Sequence, residues 1–224
     1  MYVNANQIYS LLQQEQITSG IGNITFNFKN IAISIRGKNA IGDLFQEWLE
    51  AWMTRSNISY RKPSNTQEFP DFLLHRRSNE IDLLEIKLFD YDRSPNFDVA
   101  NFDSYQRSLL TNAYRLDADY LIFGYRLNNT GFSIADFWLK KVWEITGDGN
   151  TNVLKCQVKQ GVIHNIRPVK WYSSRRVQSP FTSRFHFCLG LEQRLLNYNR
   201  TQHSCVNWLR EVRANYRQHT GSPL

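Results

Sequence analysis

The sequence predicts an α/β (α+β) fold in which helices flank a central mixed β-sheet. Apolar side chains recur at helical spacing in several stretches, and alternating or continuous apolar runs typical of strands lie between them. The predicted order is α, ββ, α, ββ, α, β and then a mixed tail. A central sheet covered by helices is the architecture that buries the apolar faces of such a series.

The length of the chain favours one large domain. At 224 residues it can bury a sizeable hydrophobic core without disulfides or structural metals. We expect a single domain over residues 1–224, with a core at 39–145 and a basic part at 155–224.

The first third of the chain predicts two helices and a hairpin. Residues 4–16 carry apolar positions at helical spacing, and residues 24–35 alternate as in a β-hairpin. Residues 39–55 predict the clearest helix, which Asn39 can cap. Its apolar face consists of Ile41, Leu44, Phe45, Trp48, Leu49 and Trp52. Its acidic stripe consists of Asp43, Glu47 and Glu50.

The remaining elements follow from the same patterns. Residues 102–116 and, near the end of the chain, 182–198 and 203–217 predict helices. Residues 119–127 are an apolar run typical of a buried strand. The pattern over 134–145 fits a strand or a helix. Residues 153–172 predict two or three strands, with a turn at Lys159-Gln160-Gly161.

Charge is distributed unevenly along the chain. The formal net charge is +7, yet residues 155–224 hold 12 Lys and Arg against 2 acidic residues, whereas residues 1–154 have a net charge of −3. A basic C-terminal third beside an acidic front predicts that one part grips a polyanion while another performs chemistry. Aromatic residues interleaved with the basic ones favour a nucleic acid.

The sequence lacks the features that several functional classes require. The three cysteines and five histidines show no zinc-site spacing, and no Gly-rich phosphate loop supports a nucleotide cofactor. No signal peptide and no apolar run of membrane-spanning length are present, so we expect a cytoplasmic protein that does not enter a membrane. The odd cysteine count favours reduced thiols.

The segment FPDFLLHRRSNEIDLLEIKLF, residues 69–89, carries the chemistry. It places Pro70-Asp71 14 residues ahead of Glu85, with Lys87 two positions further on. The strand alternation puts Glu85 and Lys87 on one face. If the two strands pair through a turn at residues 77–80, Asp71 comes to lie beside Glu85. Two carboxylates suit Mg²⁺, which borrows further oxygen ligands from water and phosphate, so we expect a Mg²⁺-dependent nuclease with Asp71 and Glu85 as metal ligands.

Lys87 has two possible roles. A lysine acts as a general base only if its pKa falls well below its usual value, and neighbouring carboxylates oppose that fall. We therefore favour Lys87 as an electrostatic stabiliser that positions the attacking water, with general base as the alternative. On the preceding helix, Glu47 is a candidate for a further acidic ligand or supporting carboxylate, and a solvated helix face is the alternative.

The motif resembles that of the PD-(D/E)xK nuclease superfamily, at a chain length similar to that of a Type II restriction endonuclease. Three segments more narrowly resemble the NlaIV/NgoBV type of restriction enzyme. They are GDLFQEWLEAW (42–52), NTQEFPDFLL (65–74) leading into LLEIKLFDY (83–91), and WLKKVWEI (138–145).

This resemblance implies a restriction-endonuclease-like core and a homodimer that cuts both strands of double-stranded DNA at a palindromic site. GGNNCC is the implied target. It assigns the roles of the motif to Asp71, Glu85 and Lys87, and Glu47 matches a helix carboxylate that many members of the superfamily use.

Contacts to DNA are predicted in two polar loops. Reading G·C pairs requires Arg or Lys donors in the major groove. One loop offers Lys170, Arg175 and Arg176, and the other offers Arg61, Lys62, Asn65 and Gln67. Either loop can read bases or contact only phosphates.

Two other functions fit the same residues. One is a structure-selective or repair nuclease with the same core. The other is a DNA-binding protein that does not cut, against which the intact Asp71, Glu85 and Lys87 set argues. Cutting of undamaged duplex DNA at discrete sites separates the three functions.

Overall fold

The computed structural model describes residues 1–34, 41–65, 69–128, 131–149, 152–173, 178–201 and 205–224. The chain forms two compact units. The first unit consists of Met1–Ser94 with Tyr120–Leu139, and the second consists of Pro95–Asp119 with Lys140–Leu224. Within the described ranges, no helix is long and apolar enough to cross a membrane.

Six helices and ten strands are described. The helices are α1 (Ala5–Gln14), α2 (Ile41–Arg55), α3 (Phe102–Ser108), α4 (Val142–Ile145), α5 (Arg184–Leu196) and α6 (Trp208–Thr220). The strands are β1 (Ile21–Gly22), β2 (Thr25–Phe28), β3 (Ile31–Ser34), β4 (Phe72–Leu73), β5 (Leu83–Asp90), β6 (Ala100–Asn101), β7 (Asp119–Asn128), β8 (Gly131–Lys141), β9 (Cys156–Lys159) and β10 (Val162–Ile166).

A mixed sheet of five strands forms the centre of the first unit, as the sequence predicts. The strands lie in the order β1-β8-β7-β5-β4. The two outer pairs, β1 with β8 and β4 with β5, are antiparallel. Helices α1 and α2 share one core with the sheet, and its fully buried members include Ile8, Leu12, Leu49, Met53, Phe72, Leu84 and Phe123.

The local sequence explains why α1 and α2 form. Asn4 and Gln7 exchange side-chain to main-chain hydrogen bonds of 3.0 and 2.9 Å, which close a capping box at the start of α1. On α2, apolar residues at helical spacing face the core, but Trp48 is exposed, so the apolar face is narrower than the sequence predicts. The predicted cap Asn39 lies outside the described residues.

The predicted helix over residues 102–116 is wrong in its second half. Helix α3 ends at Ser108, and a separate 3₁₀ helix covers Ala113–Asp117. The side chain of Asn215 on α6 accepts a 2.8 Å hydrogen bond from the main-chain N–H of Ala113 and so fixes the start of the new turn. A contact from a residue 102 positions away overrides the local helical pattern.

The ambiguous stretch 134–145 contains both kinds of structure. Strand β8 continues to Lys141, and α4 begins at the next residue. Glu144 accepts a 2.7 Å hydrogen bond from the main-chain N–H of Lys141, which satisfies a donor at the start of this short helix.

The second unit contains a three-stranded sheet in the order β6-β10-β9. The predicted turn between β9 and β10 is confirmed, with Gln160 and Gly161 at φ values of 50° and 73°. Two consecutive residues with positive φ are typical of a two-residue hairpin loop. Helix α6 is fixed by Trp208, which donates from Nε1 to the carbonyl of Gln106 (3.0 Å), and by Tyr216, whose hydroxyl donates to Asp117 (2.6 Å).

Candidate active site

Pairing of β4 with β5 brings Asp71 and Glu85 together. The register sets Phe72 opposite Leu84 and Leu73 opposite Leu83, so Asp71, just before β4, lies opposite Glu85. The main-chain N–H of Asp71 donates to Oε2 of Glu85 at 3.3 Å. This hairpin has the arrangement that the sequence predicts.

Lys87 lies on β5, the strand that also carries Glu85, and completes the site. Its Nζ lies 2.7 Å from Oε1 of Glu85, with which it forms a hydrogen-bonded ion pair. Glu85 is buried, with 8% of its surface exposed. A buried carboxylate beside an ammonium is a charged site held in a partly dry environment, where electrostatic interactions are strong.

Asp71 has a shifted protonation equilibrium. Burial, followed by the negative charge of Glu85, raises the pKa of Asp71 to about 6. A hydrogen bond from the main-chain N–H of Ile86 (2.7 Å to Oδ2) and the ammonium groups of Lys87 and Lys62 oppose that rise in pKa. Two carboxylates that repel each other in this way form a site that a cation stabilises.

A cleft of about 390 Å³ opens beside these residues, between the first turns of α2 and strand β5. Its lining includes Asp71, Glu85 and Lys87, with Asp43 and Gln46 from the helix. The sequence pattern did not single out Gln46, and it placed Asp43 only in the acidic stripe. The spacing of three residues between Asp43 and Gln46, which places both on one side of the helix, was the available sequence signal that they line a common surface.

Glu47, the helix carboxylate predicted to support the site, is exposed and does not line this cleft. Asp43 and Glu47 lie one turn apart on the same face of α2. The start of the helix lines the cleft, so Asp43 reaches it and Glu47, one turn further along, does not.

Glu50 on the same helix holds two other groups. Its Oε1 lies 2.7 Å from Nζ of Lys62, and its Oε2 accepts a 3.2 Å hydrogen bond from the Tyr60 hydroxyl. Lys62 was predicted as a DNA contact, and the sequence gave no sign that these two residues are paired.

The other predicted DNA contacts occupy different settings. The guanidinium of Arg61 donates to the carbonyls of His75 and Ser78 and to the side chain of Asn79, so it supports the turn between β4 and β5. Lys170 is exposed, with its Nζ 5.5 Å from the ring centre of Tyr172. Asn65 is exposed. Gln67, Arg175 and Arg176 lie outside the described residues.

Helix α6 carries a basic face that the charge distribution alone did not locate. Arg210, Arg213 and Arg217 are exposed and recur at intervals of three and four residues, so they lie on one side of the helix. Arg213 lies over the ring of Phe185 at 5.8 Å, and none of the three has an ion pair within the described residues.

The residues present fit a magnesium ion, although they do not form a complete cage. Among the described residues, no group of three or more His, Cys, Asp or Glu is arranged to hold a metal. Asp71 and Glu85 supply two carboxylates in mutual repulsion. Mg²⁺ is commonly held by one or two carboxylates, with waters and substrate phosphates completing its shell.

Comparison with known proteins gives consistent matches over the chain. The model of the family described as NgoBV restriction endonuclease matches residues 2–224. The Type II restriction enzyme NlaIV of Neisseria lactamica is 37% identical over 220 residues, with 97% of this chain and 90% of that relative covered. The Type II restriction enzyme NgoBV of Neisseria gonorrhoeae is 35% identical over 153 residues, with 64% and 83% covered.

The solved structures include a close match to the fold. A structure of NlaIV restriction endonuclease has a TM-score of 0.94 and 35% identity to this chain, with 100% of this chain and 92% of the other covered.

Proposed function

Because the chain belongs to the NgoBV restriction endonuclease family, we propose that it cuts both strands of DNA, with Mg²⁺ as cofactor, at a short palindromic site. GGNNCC is the target that we propose. The chain would act as a homodimer, since two copies of one site related by two-fold symmetry match the symmetry of a palindrome.

One observation carries this proposal. Asp71, Glu85 and Lys87, predicted as a nuclease motif, meet at the junction of β4 and β5 with the contacts of 3.3 and 2.7 Å described above. Charged oxygen ligands beside an ammonium in a cleft suit phosphodiester hydrolysis, in which negative charge builds on the phosphate oxygens.

The side chains of this site have distinct parts in the reaction. The Ile86 N–H fixes one oxygen of Asp71, and Lys87 engages one oxygen of Glu85, so both carboxylates are oriented before DNA arrives. Asp71 and Glu85 would hold Mg²⁺, which supplies charge neutralisation and a lower pKa for water. Lys87 stabilises the charge that develops on the phosphate and orients the attacking water.

The second unit supplies a surface suited to the DNA backbone. Its residues include 16 Lys and Arg against 8 Asp and Glu. The exposed arginines of α6 are placed at intervals that one helix face presents together. We propose that Arg210, Arg213 and Arg217 contact phosphates, which position a protein on DNA without reading its sequence.

Digestion of a sequenced plasmid tests the proposed function. Purified protein with Mg²⁺ should give discrete fragments whose ends map to GGNNCC, and EDTA should abolish cutting. A smear of fragments would support a structure-selective or non-specific nuclease instead. Binding without cutting would support a DNA-binding protein that has lost the reaction.

A further inference from the structure

A second lysine, Lys62, lies close to Asp71. The main chain of Arg61 pairs with Leu73 through hydrogen bonds of 2.9 and 2.8 Å. This pairing continues the hairpin outward, so Lys62 runs alongside Phe72, the residue that follows Asp71. In this antiparallel register Lys62 lies across from the chain neighbour of Asp71, one position away from Asp71 itself.

The charges of the two residues are coupled. Lys62 helps to lower the pKa of Asp71, and Asp71 is among the charges that raise the pKa of Lys62. Glu50 is the larger cause of the raised pKa of Lys62, through its hydrogen bond. The Lys62 ammonium is thus a positive charge that Glu50 holds at 2.7 Å and that interacts with the Asp71 carboxylate.

Neighbouring contacts hold Lys62 in place. Tyr60 packs its ring edge-on against Phe72 with 5.1 Å between ring centres, and its hydroxyl donates to Glu50. Glu50 therefore links α2 to this short segment at two points. An ammonium has three donors, and the contact with Glu50 uses one of them.

We propose that Lys62 is a further residue of the cleavage site. Its ammonium contacts a non-bridging oxygen of the DNA phosphate that enters beside Asp71, and Glu50 is the positioning residue that acts through it. The inference rests on the proposed function. Lys62 keeps its proton throughout, so its contribution is electrostatic, and no bond forms or breaks at its nitrogen.

A purely structural role for the ion pair of Lys62 and Glu50 predicts a different outcome. Exposed ion pairs contribute little to stability, and 40% of the Lys62 side chain is exposed. If the pair only links α2 to the segment at 60–62, its removal changes stability slightly and leaves the rate of cutting unchanged.

The test measures single-turnover cleavage rate, DNA affinity in EDTA and thermal unfolding for Lys62→Ala, Glu50→Gln and the double variant. We expect at least a tenfold lower rate for Lys62→Ala, a smaller fall for Glu50→Gln and no further loss in the double variant. Lys62→Arg should recover part of the rate. Arg55→Ala is the matched control. Arg55 lies on the same helix as Glu50 but pairs with Glu15, at the end of α1, and its removal should leave the rate unchanged.

Two results would overturn the proposal. One is a wild-type rate in Lys62→Ala. The other is a double variant whose fall in rate equals the product of the falls in Lys62→Ala and Glu50→Gln. Glu50 would then act independently of Lys62. Wild-type protein that fails to cut any DNA contradicts the proposed function itself, and the role of Lys62 falls with it.

Discussion

The main-chain N–H of Ile86 donates a 2.7 Å hydrogen bond to Oδ2 of Asp71. Ile86 lies between Glu85 and Lys87, so the strand that carries two members of the site also orients the third. Since the side chain of Ile86 is buried in the core, this orientation depends on the packing of the first unit. The three charged groups are therefore held by one hairpin before any substrate binds.

Removal of the charge of Glu85 or of Lys87 on β5 should strongly slow the reaction. Glu85→Gln and Lys87→Met should each lower the single-turnover cleavage rate by at least about a hundredfold, the usual cost of losing electrostatic stabilisation of a transition state. DNA affinity measured in EDTA should change much less. Lys140→Met is the matched control, because Lys140 pairs with Glu144 in the second unit. Near-normal cutting by Glu85→Gln or Lys87→Met would contradict the site assignment.

The stability of the metal-free protein should depend on the ionisation of Asp71. Burial and Glu85 raise its pKa from 3.8 to about 6, so between these values the folded state binds more protons than the unfolded state. The contribution of this group to stability therefore falls as pH rises, by about 1.4 kcal/mol between pH 5 and 7.5. Urea unfolding in EDTA measures the change. Asp71→Asn should lack this component, and an identical pH dependence in both proteins would exclude it.

Divalent cations should stabilise the folded protein through the same two carboxylates. A ligand that binds only the folded state at 100 times its Kd adds about 2.7 kcal/mol of stability. We expect Mg²⁺ or Ca²⁺ to raise the Tm of the wild type and to have little effect on Glu85→Gln. Asp92→Asn, which removes a carboxylate paired with Arg126, serves as the control and should keep the shift in Tm. An equal shift in Glu85→Gln would place the cation elsewhere.

The arginines of α6 should account for part of the salt dependence of DNA binding. Each phosphate contact contributes about 0.9 to the slope of log affinity against log salt concentration. The combined Arg210→Gln, Arg213→Gln and Arg217→Gln variant should therefore bind more weakly, with a slope reduced by up to about 2.7. The matched control replaces Arg55, Arg93 and Arg126, each of which is paired with a carboxylate. Unchanged affinity and slope in the α6 variant would remove these residues from the DNA surface.

The part of the site that was predictable from sequence is local. Asp71 directly precedes β4, Glu85 lies on β5, and the two strands pair as neighbours in the chain, so the spacing of 14 residues and the strand alternation sufficed to predict that the two carboxylates meet. Glu85 and Lys87 share one strand, and their common face follows from its period of two.

The parts that sequence reasoning missed depend on tertiary packing. Asp43 and Glu47 share one face of α2, and only Asp43 lines the cleft because the start of the helix lies there. The acidic stripe alone does not show which turn of α2 lies at the cleft. The break before Ala113 likewise depends on Asn215, a contact from a distant helix that no local pattern contains.

We propose that this protein cuts duplex DNA at a specific palindrome through Asp71, Glu85 and Lys87. The most direct test compares two plasmids that differ only in whether a single GGNNCC site is intact. With Mg²⁺, wild-type protein should linearise the plasmid with the intact site and leave the other uncut, and Glu85→Gln should cut neither. Equal cutting of both plasmids, or cutting by Glu85→Gln at the wild-type rate, would contradict the account.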